Sequence, residues 1–126
     1  MNLDKVISGF FIILAMTLNF GFFYGDMYSI ISHSKYELFA AIIVNLIATI
    51  LKLGDKTQLG SVLLATSLVA DIQLITAAII WTISIYSSTG MDQETMGIIV
   101  SLSGGALLAN ITSVILYVAD TIKSKR

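Results

Sequence analysis

An aspartate at position 71 interrupts an apolar stretch that otherwise runs from Thr57 to Met91. It lies about halfway between Leu59 and Tyr86. A carboxyl group in such a setting has three options. It can be protonated and hydrogen-bonded, it can be ionised and hold a cation, or it can alternate between the two. The last is what a proton or cation pathway needs. No Lys, Arg or His occurs at that depth in any apolar stretch, so the sequence offers Asp71 no internal counter-ion. The plainer reading is a protonated Asp that hydrogen-bonds neighbouring helices together, a contribution of about 0.6–2 kcal/mol.

Other polar residues sit at comparable depth. Asn19, Asn45 and Asn110 each interrupt a different apolar stretch, and Ser67 precedes Asp71 by one helical turn. The five form a candidate ion- or proton-binding set. Asp71 supplies the charge or the proton site, and Asn45, Ser67, Asn19 and Asn110 supply neutral oxygens. Asn45 belongs to a stripe at i+4 spacing, Glu37, Ala41, Asn45 and Thr49, which ends beside Lys52. This stripe can meet Asp71 across a helix interface, with Asn45 as the contact. The plain reading of Asn45 is interhelical packing. Gln73 stands two residues after Asp71, about 200° around a helix, so it faces the opposite side. A helix polar on both sides needs cover on both, and the sequence suggests that a second protomer or a foreign partner provides one of them.

The elements that position these groups are long and apolar. The chain has 126 residues, 56% hydrophobic and 12% charged, with no Pro, no Cys and one His. The charged fraction is about half the usual 25% of soluble proteins. Charges divide the chain into four apolar stretches, Val6 to Gly25, Tyr36 to Leu53, Thr57 to Met91 and Thr95 to Ala119. Each approaches the 20 or so residues that cross an apolar core of about 30 Å. The expected fold is therefore all-α. It is a single polytopic membrane domain with helices over about 5–25, 36–53, 58–86 and 95–119. The first apolar run is longer than that of a secretory signal, and no A-x-A-like cleavage site follows, so it reads as a retained helix.

Helix starts are marked locally. Ser34-x-x-Glu37 reads as a capping box, Asp55-x-x-Gln58 as another, and Asp92 as an N-cap. With four spans, Lys5, Lys52, Lys56, Lys123, Lys125 and Arg126 share one side, and the other side carries only Lys35. That asymmetry places both termini in the cytoplasm. Tyr24, Tyr28, Tyr36, Trp81 and Tyr86 fall near the opposite boundary, where aromatic rings anchor. His33 reads as a surface residue of the 25–35 loop. The last stretch carries Gly97, Ser101, Gly105, Ala109 and Ser113, each four apart. Such a track lets helices approach closely, either inside the protomer or, with Gln73, at a seam between protomers.

Several classes are excluded by what is missing. A membrane aspartyl protease needs two intramembrane carboxyl groups. A Ser–His dyad and haem ligation need a buried His, and a voltage sensor needs an Arg-rich helix. Cys-based zinc sites have no ligands, and no basic surface suggests nucleic acid. No enzyme activity, metal or cofactor is expected.

The segments MNLDKVISGFFIILAMTLNFGFFYGD and GDKTQLGSVLLATSLVADIQL resemble a family of uncharacterised small bacterial four-helix inner-membrane proteins. The resemblance implies a cytoplasmic-membrane location and no known activity. Two functions fit the residues. One is a homo-oligomeric cation or proton pathway built on Asp71. The other is an accessory subunit of a larger membrane complex, such as a cation transporter, with the polar faces serving assembly.

The four-span topology predicts that reporter fusions at Thr89 and at Arg126 report opposite compartments. The same compartment for both would remove one span.

Overall fold

The computed structural model describes residues 3–25, 33–54 and 57–124. It contains four helices, α1 (Leu3–Phe23), α2 (Lys35–Lys52), α3 (Gln58–Ile85) and α4 (Gln93–Ser124), and no strand among the described residues. α1, α3 and α4 are long and apolar enough to cross a membrane. α2 is shorter, and its 18 residues include Lys35, Glu37 and Lys52.

The caps explain the boundaries. Ser34 accepts a hydrogen bond from the backbone N–H of Tyr36 at 3.2 Å and opens α2. The Glu37 carboxylate lies against Gly21 of α1, where a Cβ would clash with it. α3 is opened by Thr57, whose hydroxyl accepts from Gly60 N at 3.0 Å. This corrects the Asp55 reading; Asp55 itself lies outside the described residues. A hydroxyl directly before the first helical residue satisfies an orphan N–H without any help from further upstream. Asp92 accepts from Thr95 N at 2.7 Å and starts α4. Hydrogen bonds from Thr95 hold its carboxyl below the usual carboxylate range. The turn before it uses Gly90 at φ 71°, a left-handed conformation that favours glycine.

The helices form a ring in chain order. α1 packs on α2, α2 on α3, α3 on α4, and α4 returns to α1. Short connections make neighbours antiparallel. At one end Phe22 meets Trp81, with ring centroids 6.1 Å apart. At the other, the Tyr117 hydroxyl donates to the carbonyl of Lys5, and its ring covers Gly9. These are called the Trp81 end and the Lys52 end below.

The side chains are distributed the opposite way from a water-soluble bundle. Asn19, Asn45, Asp71, Ser103, Asn110 and Ser113 are buried, while Ile43, Ile72, Ile83, Leu108 and Ile115 are largely exposed. A continuous apolar exterior of this kind marks a surface that meets lipid or protein. The apolar core gathers toward the Trp81 end, around Phe22, Leu38, Leu74, Trp81, Met96 and Ile99.

Two expectations are corrected there. Trp81 is only 9% exposed and packs in the core, so it is not an anchoring ring at a boundary. Tyr24, Tyr36 and Tyr86 are exposed, and Tyr28 lies outside the described residues. His33 is 4% exposed, and its Nδ1 donates to the carbonyl of Phe22 at 2.5 Å. The last carbonyls of a helix lack intrahelical partners, and the imidazole supplies one for α1.

The small-residue track of α4 faces α3 within the same chain. Gln73 lies over Gly105, and Thr66 shares a 2.5 Å hydrogen bond with Ser113. Gly97 is buried, Gly105 and Ala109 are half-buried, and Ser101 is exposed at the edge of the groove that Gln73 enters. A Cβ on Gly105 would come within 2.6 Å of the Gln73 amide. Gly105→Leu should therefore lower stability by about 1–3 kcal/mol through overpacking, and Gly105→Ala by less, because the Gln73 amide can swing. Thermal unfolding in detergent checks this. An unchanged midpoint for the Leu variant would mean that α4 does not pack here.

Candidate functional site

α3 presents polar groups on both sides, and each side meets a helix of its own chain. Asp71 faces α2, and Gln73 faces α4. The ring order sets α3 between these two neighbours. Asp71 is buried, whereas Gln73 is half-buried and borders an open groove.

Asp71 is 5% exposed. Its Oδ2 lies 2.5 Å from the Thr49 hydroxyl, and that hydroxyl also lies 2.8 Å from the Asn45 carbonyl oxygen. Its Oδ1 is buried with no hydrogen-bond partner. One turn earlier on α3, Ser67 accepts a hydrogen bond from Lys52 Nζ, which also donates to the Leu63 carbonyl at 3.4 Å. Lys52 is 6% exposed. Ser67 and Asp71 are four residues apart, about 6 Å along the helix axis. Lys52 and Asp71 interact electrostatically across that gap.

Lys52 corrects the sequence reading. A lysine at a helix end ordinarily carries its ammonium outward along its flexible stem. Here the stem turns inward, because Ser67 and the Leu63 carbonyl offer acceptors at the α2–α3 interface. Asp71 therefore has a basic group from its own chain. The stripe Ala41, Asn45, Thr49, Lys52 carried the signal, since it runs along one face of α2 to the lysine. Asn45 is not the contact to Asp71. Its Nδ2 donates to Ala41 O of its own helix at 2.7 Å, and Thr49 makes the bond across the interface.

The five candidate residues do not converge. Asp71 and Ser67 share the α2–α3 interface, with Asn45 adjoining through Thr49. Asn19 and Asn110 form a second cluster between α1 and α4. With its amide oriented to match its neighbours, Asn19 donates to Ser103 O at 3.1 Å and accepts from Leu107 N at 2.7 Å and from Asn110 Nδ2 at 3.1 Å. It thus joins both members of an i, i+4 backbone pair of α4. Gly104, beside this contact, sits under Phe23. This cluster is saturated by neutral partners and reads as interhelical packing. Gln73 borders an open groove of about 430 Å³ with Glu94, Gly97, Ile98, Ser101 and Leu102, and its Oε1 is buried without a partner.

The site thus consists of a buried carboxyl group, a bridging hydroxyl, and an ammonium held one turn away. Such a set can take up and release a proton or hold a small cation. The chain belongs to a family of unknown function (DUF6394), which matches residues 32–121. The matched region contains Asn45, Thr49, Lys52, Ser67 and Asp71. Of the two segments quoted above, it contains the one from Gly54 to Leu74 and not the N-terminal one. No curated protein and no solved structure matches the chain.

Thr49→Val keeps the shape of the side chain and removes the bridging hydroxyl. It should cost about 1–2 kcal/mol, because the buried Asp71 oxygen loses its partner. Thr49→Ser should retain most of the stability. Unfolding in detergent micelles is the measurement, and a Val variant as stable as wild type would show that the bridge contributes nothing.

Proposed function

We propose that the chain is an integral membrane protein of four spans that conducts protons or small cations through the Asp71 site. The single observation that carries this reading is Asp71 itself, a carboxyl group buried midway along α3 with the Thr49 hydroxyl on one oxygen and the Lys52 ammonium one turn away. The apolar exterior around a polar interior supports placement in a bilayer. The basic residues at the Lys52 end support a topology with both termini cytoplasmic, and the cytoplasmic membrane is the proposed location. Although α2 carries more charge than the other helices, Glu37 lies over Gly21 and Lys52 is turned inward, so neither charge opposes a span.

The proposed route runs within one chain. Lys52, Ser67 and Asp71 are buried along the α2–α3 interface from the Lys52 end to mid-helix. Beyond Asp71, the packed side chains of Leu38, Leu74, Phe22 and Trp81 close the bundle. Passage requires that plug to open, as expected of a gated path with two states. Each protomer holds its own site, so a homo-oligomer or a larger membrane partner would add copies or regulation rather than complete the site.

Purified protein in lipid vesicles tests the reading. Asp71→Asn preserves shape and removes the titratable group. It should reduce proton and cation flux to the level of empty vesicles while the protein stays folded. Asp71→Leu should also lose stability. Unchanged flux in the Asn variant would remove Asp71 from the path. Absence of flux in wild type would leave the accessory-subunit reading.

A further inference from the structure

We infer that the ion taken by the Asp71 site is a proton and that Lys52 excludes metal cations from it. The inference rests on the pathway reading above and names its substrate. Two independent features of the α2–α3 interface carry it.

The first is a count of hydrogens. The Thr49 hydroxyl has one hydrogen, and two acceptors stand at hydrogen-bond distance, Asn45 O at 2.8 Å and Asp71 Oδ2 at 2.5 Å. With Asp71 ionised, the hydrogen serves one acceptor and the other contact is empty. Both contacts are filled only when a second hydrogen is present. A backbone carbonyl cannot carry it, so it belongs on Asp71 Oδ2. The chain then reads Asp71 Oδ2–H to Thr49 Oγ1, and Thr49 Oγ1–H to Asn45 O. Uptake forms one O–H bond on the carboxylate and reverses the direction of one hydroxyl; release breaks the same O–H bond. No other bond changes.

The second is the position of the ammonium. Lys52 Nζ is fixed to Ser67 and to the Leu63 carbonyl, one turn from Asp71 toward the Lys52 end. Among the described residues, Lys52 is the charged group that acts on Asp71. α1 and α4 bring neutral amides and hydroxyls to the interior, Asn19, Asn110, Ser103 and Ser113. A sodium or potassium ion entering from that end must pass a fixed positive charge in a buried interface where repulsion is weakly screened. A proton need not pass as an ion, because it can be handed on by hydroxyl groups and water.

The experiment loads vesicles containing wild-type protein with a pH-sensitive dye and, separately, with sodium- and potassium-sensitive dyes. Wild type should move protons and hold sodium and potassium flux at the empty-vesicle level. Lys52→Gln, similar in length and uncharged, should continue to move protons and begin to move sodium or potassium. Lys52→Arg should behave as wild type and controls for folding. Metal-cation flux through wild type would overturn the inference while leaving the pathway reading intact. So would a folded Lys52→Gln protein that still excludes both metals. If Lys52→Gln fails to fold, Lys52→Met, of similar length, apolar and uncharged, takes its place with the same expected fluxes. Wild type that moves neither protons nor metals would overturn the pathway reading and this inference with it.

Discussion

A helix with a carboxyl group on one side and a carboxamide on the other cannot sit at the edge of an apolar assembly. α3 is such a helix. Asp71 and Gln73 are separated by about 200° of helix, and leaving either toward hydrocarbon costs several kcal/mol. Much of the arrangement follows. α2 and α4 flank α3 on opposite sides, and each brings what its side requires. α2 brings Thr49 and, one turn away, Lys52. α4 brings Gly105, whose missing side chain leaves room for the Gln73 amide, and Ser113, which pairs with Thr66. α1 then completes the ring by coupling to α4 through Asn19.

The two polar interfaces differ in how fully they are satisfied, and that difference separates packing from chemistry. Asn19 and Asn110 are neutral, and both ends of the Asn19 amide find partners on α4. A cluster of that kind fixes helix register and does little else. The Asp71 cluster has a titratable carboxyl group, a hydroxyl with two acceptors, and an ammonium held nearby. Partial satisfaction is costly in a low-dielectric interior. It is also what a group needs if its protonation or ligand state is to change in use.

The outward-facing isoleucines and leucines set the context in which these terms apply. In water, the hydrophobic effect would favour burying Ile43, Ile72, Ile83 and Leu108, and the observed bundle leaves them outside. In the proposed bilayer that penalty is absent, and close packing with interhelical hydrogen bonds decides association. Small residues then matter more than large ones. The α3–α4 contact, made through Gly97, Gly105, Ala109 and Ser113, illustrates this.

Local and compositional features were legible in the sequence. Charge spacing marked the four helices, Ser34 and Asp92 announced two of their starts, and the lone acid in an apolar stretch pointed to Asp71. These depend on one residue type and its near neighbours, so the chain alone carries them. The tertiary structure decided everything that depended on which faces meet. Asn45 and Thr49 are one turn apart on the same stripe, and only the packing of α2 against α3 selects Thr49 as the partner of Asp71. His33 and Trp81 looked like boundary residues by position, but became core residues because the end of α1 presents Phe22 and its free carbonyl to them. Lys52 is the plainest case. Its long stem can reach outward or inward, sequence position favours outward, and the acceptors that turn it inward belong to another helix.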